Sequence, residues 1–387
     1  MTVIAAIVFW LCVAAMLHTY VTYPLSLRLF RCRYDVPPDF KDGEWPTVAV
    51  LIPAYNEETV IERKLENTLA LDYESDKLQI YLGNDGSTDR TGDIAHNFEV
   101  ERLTVVDLPG RSGKSGVYNR LLEQTDADIV VFTDANVLLD RLALRKLVRH
   151  FADPRVGVVG GAKYIQLPSA ARSVRGEALY GRFENALRAR ESAVGGMSGA
   201  LGSLMAMRRR LYHPYAPGSL NDDTVPAIWA TLEGLRNVYD LDAKSFEESG
   251  RTVREEFSRR MRIGAGNWQT LFRYLRVMHP RYGIAGYTYF SHKVLRWIFP
   301  FLMLLALSMS ILLRAEPVYR LALTAQLIGY GAALIGWIGD VLSVRVPLLA
   351  SLYHFVALNV GLLIGFFVYL GGIRSSAWER TEREAQP

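Results

Sequence analysis

The chain has 387 residues, half of them hydrophobic, a mean hydropathy of +0.08 and a net charge of +4 at pH 7. That length exceeds one ordinary core and allows two domains, or one domain with a membrane part. Two cysteines, Cys12 and Cys32, exclude a disulfide framework and a zinc site and fit a reducing compartment for the polar middle. Short basic clusters such as Arg208-Arg209-Arg210, interleaved with acids, exclude a nucleic-acid stripe.

From the N-terminus, Val3–Leu27 is almost uncharged and long enough to span a bilayer. Arg28, Arg31 and Arg33 follow this run rather than precede it. It therefore reads as an anchor with the next domain in the cytoplasm, not as a cleaved signal peptide. Residues 35–44, with Pro37-Pro38, read as a linker.

From Trp45 to about residue 150, β-rich runs alternate with helical stretches, the pattern of parallel βαβ units. Strands are expected at Thr47–Ile52, Gln79–Leu82, Ile129–Phe132 and Val156–Val159, the last ending in Gly160-Gly161. Helices are expected at Glu57–Leu71, Arg90–Phe98 (opened by Ser87 or Asp89) and Arg141–Phe151. Trp268–Leu275 is aromatic and basic together, as an interfacial helix would be. Three apolar runs follow at Val294–Leu313, Leu321–Val341 and Pro347–Tyr369, with aromatic residues near their ends. Gly361 and Gly365 have the spacing of a close helix contact.

The expected organisation is an N-terminal transmembrane anchor (1–33), a cytoplasmic α/β domain (45–255), an interfacial amphipathic region (256–292), C-terminal transmembrane segments (293–373) and a tail (374–387). Three C-terminal spans would place the tail arginines Arg374, Arg380 and Arg383 outside, against the charge bias, so the parity of spans stays open.

Three acidic turns carry the chemistry: Gly83-Asn84-Asp85-Gly86-Ser87-Thr88-Asp89, Phe132-Thr133-Asp134-Ala135-Asn136 and Asn221-Asp222-Asp223-Thr224. The first two end β-rich runs, and a third such run ends in Pro53-Ala54-Tyr55-Asn56-Glu57. Ligands of open α/β sheets bind at the C-terminal ends of parallel strands. Turn chemistry or helix capping explains any one of these turns taken alone.

In this order, and with Arg259-Arg260-Met261-Arg262 further on, the motifs resemble family 2 glycosyltransferases over residues 45–275. The likeness is strongest to the membrane branch of cellulose, chitin, hyaluronan and poly-N-acetylglucosamine synthases. The resemblance implies a GT-A-type fold: a Rossmann-like, mostly parallel sheet that binds a nucleotide-sugar, with one N-terminal and about three C-terminal transmembrane helices. It implies inverting transfer from a nucleotide-sugar, a UDP-sugar by expectation, to a growing exopolysaccharide or a membrane lipid. Membrane lipids, and an oligomer or accessory subunits, are the implied partners. A plasma (inner) membrane protein with a cytoplasmic catalytic domain is the implied location.

Residue by residue, the resemblance assigns Asp85 to the nucleotide, with Pro53, Ala54 and Glu57 lining the same edge. Asn84 stands where many relatives carry a second Asp. Asp134 and Asn136 match a metal-binding Asp-x-Asp in which the second carboxylate is an amide; oxygen donors there suit Mg2+ or Mn2+. Lys114, in Gly113-Lys114 with Asn119 following, matches residues beside the nucleotide, and the start of a helix there would suit a diphosphate. Asp223 matches the base that deprotonates the acceptor hydroxyl, with Asp222 beside it; adjacent carboxylates repel, which suits a proton acceptor. A helix cap at Asp223 is the structural alternative. Arg259 and Arg262 match the first and fourth positions of a Gln/Arg-x-x-Arg-Trp signature, implying contact with the departing diphosphate. Ile263 replaces the Trp, which bears on polymer synthesis more than on sugar transfer. The other class kept open is a non-catalytic or weakly catalytic nucleotide-sugar-binding subunit that regulates a polysaccharide synthase complex.

Overall fold

A computed structural model describes residues 2–31, 34–166, 175–196, 202–248, 253–342, 344 and 346–373. Cys32, Arg33 and the tail arginines lie outside the described residues.

In chain order, α1 (Thr2–Leu17) and α2 (Tyr23–Ser26) are separated by one π-helical turn. There follow β1 (Val48–Ala54), α3 (Ile61–Leu69), β2 (Leu78–Asn84), α4 (Thr91–His96), β3 (Leu103–Asp107) and α5 (Gly113–Leu122). Next come β4 (Ile129–Thr133), β5 (Val137–Leu139), α6 (Ala143–Val148), β6 (Val156–Gln166), α7 (Arg175–Val194), β7 (Leu204–Arg208), α8 (Val225–Leu232) and β8 (Arg236–Glu248). The remainder is helical: α9 (Val253–Arg273), α10 (Gly283–Thr288), α11 (Leu295–Leu312), α12 (Pro317–Val341) and α13 (Pro347–Leu370).

Two compact units result. One comprises Met1–Phe30, Arg251–Phe272 and Phe290–Gly372, and the other Arg31–Gly250, Arg273–Tyr289 and the C-terminal tail.

The second unit is built on an eight-stranded sheet of order β3-β2-β1-β4-β7-β6-β8-β5. Strands β3, β2, β1 and β4 are mutually parallel, β6 and β8 are parallel, and β7 and β5 run antiparallel to their neighbours. β1 and β4 are buried along their whole length because helices cover both faces, which is why they read as unbroken apolar runs. Alternation decides which face each residue serves. Val48, Val50 and Ile52 pack with Ile61, Leu65 and Leu147, whereas Ala49 and Leu51 pack with Val117, Leu121 and Trp229. At Gly83 the helix leaves no room for a side chain: a Cβ would lie 2.3 Å from Val117 Cγ1.

β1, β2, β4 and the first part of β6 follow the sequence reading, whereas the parallel strands β3 and β8 are not expected from it. The sheet is mostly parallel, as expected, with β7 and β5 inserted antiparallel. β6 also runs through Gly160-Gly161 to Gln166, with a register shift between Gly161 and Ala162, instead of ending there.

The first unit holds most of the length of the long apolar helices. Four stretches are long and apolar enough to cross a membrane: Thr2–Leu29, Pro280–Leu312, Pro317–Val341 and Pro347–Leu370. Trp268, expected on an interfacial helix, is on α9, its ring 4.7 Å from Phe366 and 5.6 Å from Phe301. Gly361 and Gly365 do mark a close helix contact, made with Arg260, Met261 and Gly264 of α9.

Candidate active site

β1 has β2 on one side and β4 on the other, so the chain changes direction across the sheet at this point. The C-terminal ends of these three strands form the crevice where such sheets bind ligands. The loops after β1 and β2 are tied together there. Asn56, with φ +53°, donates its N–H to Ser87 Oγ at 3.0 Å, and its Oδ1 accepts from Thr88 N at 2.8 Å. Glu57 N donates to Thr91 Oγ1 at 2.8 Å. Gly86 supplies the left-handed φ of +68° that the turn needs. Asn84 is structural: its Nδ2 donates to Asp107 Oδ1 at 2.8 Å and its Oδ1 accepts from Ser87 N at 3.2 Å.

Asp85 is fully buried. Its N–H donates to Ala54 O at 2.9 Å, fastening it to the end of β1. Its carboxylate accepts from Ser112 N at 2.6 Å and Gly113 N at 3.1 Å, and lies 3.5 Å from Arg111 Nε. The start of α5, expected to face a diphosphate, thus has two of its N–H groups filled from within by Asp85. The Arg111 guanidinium lies 3.3 Å from the centre of the Tyr55 ring. Pro53 and Ala54 are buried at the end of β1.

Lys114, in the first turn of α5, joins the second and third acidic turns. Its Nζ is 2.7 Å from Asp134 Oδ1 and 2.7 Å from Asp222 Oδ2. Burial opposes the charged ammonium, but the two carboxylates outweigh it and hold its pKa well above the ordinary lysine value. Asp222 is shifted upward by burial, with the charges of Asp223 and Asp134 adding to this and the Lys114 ammonium opposing it. Tyr215 Oη donates to Asp222 O at 2.8 Å, fixing the turn. Asp223 is next in line. A Cβ built on Gly202 would lie 3.4 Å from Asp223 Cβ and 3.5 Å from Lys114 Nζ. Asp223 does not cap the following helix: the cap residue of α8 is Thr224, and no side-chain cap bond forms there.

Asn136 Nδ2 donates to Glu247 Oε1 at 3.3 Å, and Glu247 is in turn paired with Lys163. With its N–H side assigned to Glu247, the amide offers its carbonyl oxygen on the other side. Among the described residues no group of three or more His, Cys, Asp or Glu side chains could hold a metal. A purely protein cage is therefore not what these residues build. An Asp134 carboxylate and an Asn136 carbonyl suit a hard divalent cation that takes its other ligands from a diphosphate and water. The Lys114 ammonium, held between two carboxylates, stands where positive charge is favoured. The residues fit such a cation.

Comparison with known proteins identifies one domain of the chain. The model described as glycosyl transferase family 2 matches residues 49–214, a span that runs from the second residue of β1 to beyond β7 and includes the first two acidic turns. The chain carries a glycosyl transferase family 2 domain. It is similar to a beta-monoglucosyldiacylglycerol synthase of Synechocystis, 28% identical over 209 residues, which are 52% of this chain and 43% of that protein. It is also similar to a poly-beta-1,6-N-acetyl-D-glucosamine synthase of Staphylococcus aureus, 33% identical over 145 residues, 37% of this chain and 35% of the relative. The matches thus span less than half the length of these relatives. A solved mannosyltransferase from Pyrobaculum calidifontis, in complex with GDP-Man and Mn2+, shares the fold with a TM-score of 0.71 at 23% identity, over 94% of this chain and 99% of that one.

The structure gathers Pro53, Ala54, Glu57, Asp85, Lys114, Asp134 and Asn136 of the matched span, and Asp222 and Asp223 just beyond it, at one end of the sheet. Arg259 and Arg262 are half-buried on α9, which belongs to the other compact unit. Asn119 bonds through its side chain to Tyr215 N and O, at 2.8 and 2.9 Å, pinning the segment ahead of the third acidic turn rather than facing a ligand. Sequence reasoning gave no role to Glu247 or to Lys64. Glu247 carries no local motif. Lys64 did leave a signal, since it falls on the buried stripe Ile61, Lys64, Leu65, Thr68 of α3.

Proposed function

We propose that the protein is a membrane-anchored, inverting glycosyltransferase that moves one sugar from a nucleotide-sugar to a hydroxyl of a membrane lipid. The observation that carries this reading is the Lys114 bridge between Asp134 and Asp222, with Asp223 beside it. It joins the acid that would hold a donor-bound cation to the acids that would act on an acceptor.

Asp223 accepts the proton of the acceptor hydroxyl as that oxygen attacks the anomeric carbon. The new glycosidic bond forms on the face opposite the leaving group. The bond from the anomeric carbon to the diphosphate oxygen breaks, and the nucleoside diphosphate leaves with the electron pair. Asp222, partly neutralised by Lys114, orients the turn that presents Asp223. Lys114 moves from Asp134 onto the diphosphate when the donor enters. Asp134 and Asn136 would hold a Mg2+ or Mn2+ ion, which when bound neutralises charge on the diphosphate. Asp85 holds the Arg111–Lys114 loop in place, and the Tyr55–Arg111 pair forms a wall for the nucleotide. Arg259 and Arg262 steady the departing diphosphate; this assignment rests on the sequence resemblance.

A UDP-sugar is the expected donor. The GDP-Man in the mannosyltransferase complex makes GDP-sugars the necessary comparison. Ile263 in place of a Trp, and a relative named for a glucosyldiacylglycerol product, favour a lipid acceptor over a polymer. The membrane is taken to be the plasma membrane, with the transferase domain cytoplasmic, because arginines follow the first apolar run.

The test is nucleotide release by the full-length protein in detergent, over UDP- and GDP-sugars, with a membrane-lipid extract and with or without chelator. One active donor, loss of activity on chelation and a lipid carrying a single sugar are expected. A ladder of polymer products would contradict the lipid acceptor, and turnover surviving chelation would contradict the cation.

A further inference from the structure

Lys64 lies on the buried face of α3, and its side chain is fully buried. Lysine almost never occupies such a position unless its amine is fully engaged. Here Nζ donates to Thr133 Oγ1 at 3.0 Å and to Val137 O at 2.6 Å. Thr133 is the last residue of β4 and Val137 the first of β5. One amine therefore ties together both ends of the three-residue turn that carries Asp134 and Asn136.

The same helix secures β5 a second time. Asn67, three residues on and so on the same side of the helix, donates through Nδ2 to Leu139 O at 2.9 Å. It accepts from Leu139 N at 2.8 Å, giving β5 the pair of bonds a neighbouring strand would give. Thr133 Oγ1 passes the chain on, donating to Ser203 O at 3.0 Å. Ser203 follows Gly202, the glycine that faces both Lys114 Nζ and Asp223. A continuous set of bonds thus runs from α3, beneath the acidic turn, to the backbone beside the third acidic turn.

We propose that Lys64 is a positioning residue for the cation-binding turn. It sets the separation of Thr133 and Val137 and so the direction in which Asp134 and Asn136 present their oxygens. An apolar side chain would fill the same volume but leave Val137 O without this donor, and the turn could close or splay. The proposal rests on reading Asp134 and Asn136 as cation ligands. Groups that orient metal ligands in this way typically control affinity by about 10- to 100-fold.

The test is Mn2+ titration of the full-length protein in detergent, followed by the paramagnetic resonance of free Mn2+ with UDP or GDP saturating. Lys64→Met is expected to weaken Mn2+ binding at least about tenfold, and Thr133→Val less but in the same direction. Leu65→Ala, a truncation on the same helix, is expected to lower the melting temperature and leave Mn2+ affinity at the wild-type value. Nucleotide affinity without metal should be unchanged in all three. Wild-type Mn2+ affinity in Lys64→Met, or an equal loss in Leu65→Ala, overturns the proposal. If Lys64→Met does not fold, unaltered Mn2+ binding in Thr133→Val overturns it. A wild-type protein that binds nucleotide but no Mn2+ overturns the cation reading itself, and this proposal with it.

Discussion

Lys114 Nζ and Asp134 Oδ1 are 2.7 Å apart, and the same ammonium is equally close to Asp222. Without donor, the acid that would bind a cation is therefore already neutralised by a residue of its own chain. A divalent ion arriving alone must displace an ammonium. One arriving with a diphosphate brings that ammonium a new partner. Cation and nucleotide should accordingly bind together.

Lys114→Met separates these effects. The competing charge is gone, so Mn2+ should bind more tightly without nucleotide, while the KM for the donor should rise about tenfold, the equivalent of one charge-assisted hydrogen bond. Mn2+ titration with and without nucleoside diphosphate checks the first effect and steady-state kinetics the second. Weaker Mn2+ binding without nucleotide would show that Lys114 supports the cation site instead of competing for it.

Glu247 holds the amide of Asn136 in one orientation. Removing that acceptor in Glu247→Ala lets the amide turn, so Mn2+ affinity with nucleotide bound should fall about tenfold, the lower end of the range for lost orienting partners. The same titration measures it. Unchanged affinity would mean that Asn136 is not a ligand.

The Lys64 amine also leaves a signature in pH. Burial drives its pKa down to about 7 from 10.5, with the charge of Asp134 working in the opposite direction. Between those values the unfolded chain holds a proton that the folded chain has lost, so folding is favoured as pH rises. The stability difference between wild type and Lys64→Met should therefore shift toward wild type from pH 7 to about pH 10, by at most about 1.4 kcal/mol per pH unit. Below pH 7 it should level off. Melting curves of both proteins at a series of pH values check the slope, and parallel curves would refute it.

Gly83 has no space for a methyl group against Val117. Gly83→Ala should cost about 1–3 kcal/mol by overpacking and displace the start of α5, raising the donor KM as well as lowering the melting temperature. A melting temperature at the wild-type value would show that α5 can move freely away from β2.

The sequence made the central strands plain because β1 and β4 are covered on both faces and must be apolar throughout. The acidic turns were plain because each ends a strand or precedes a helix. The antiparallel β7 and β5 were harder to see. Leu204–Arg208 and Val137–Leu139 are too short to show a period, and their pairing partners are distant in sequence. Ligand roles were assigned by motif, and motif cannot reveal which group already fills another's hydrogen bonds. Asp85 was matched to a nucleotide, yet its carboxylate secures Ser112 and Gly113. His150 drew no attention from spacing, although folding places it between Tyr34 at 2.7 Å and Asp240 at 2.8 Å as a buried tie.

Asp223 is the residue proposed to remove the proton of the acceptor. Asp223→Asn keeps the size of the side chain and the turn while abolishing the base. Turnover with the active donor should fall by about 10²–10⁴, with nucleoside diphosphate affinity and melting temperature unchanged. Turnover close to wild type in that variant would show that Asp223 is not the base.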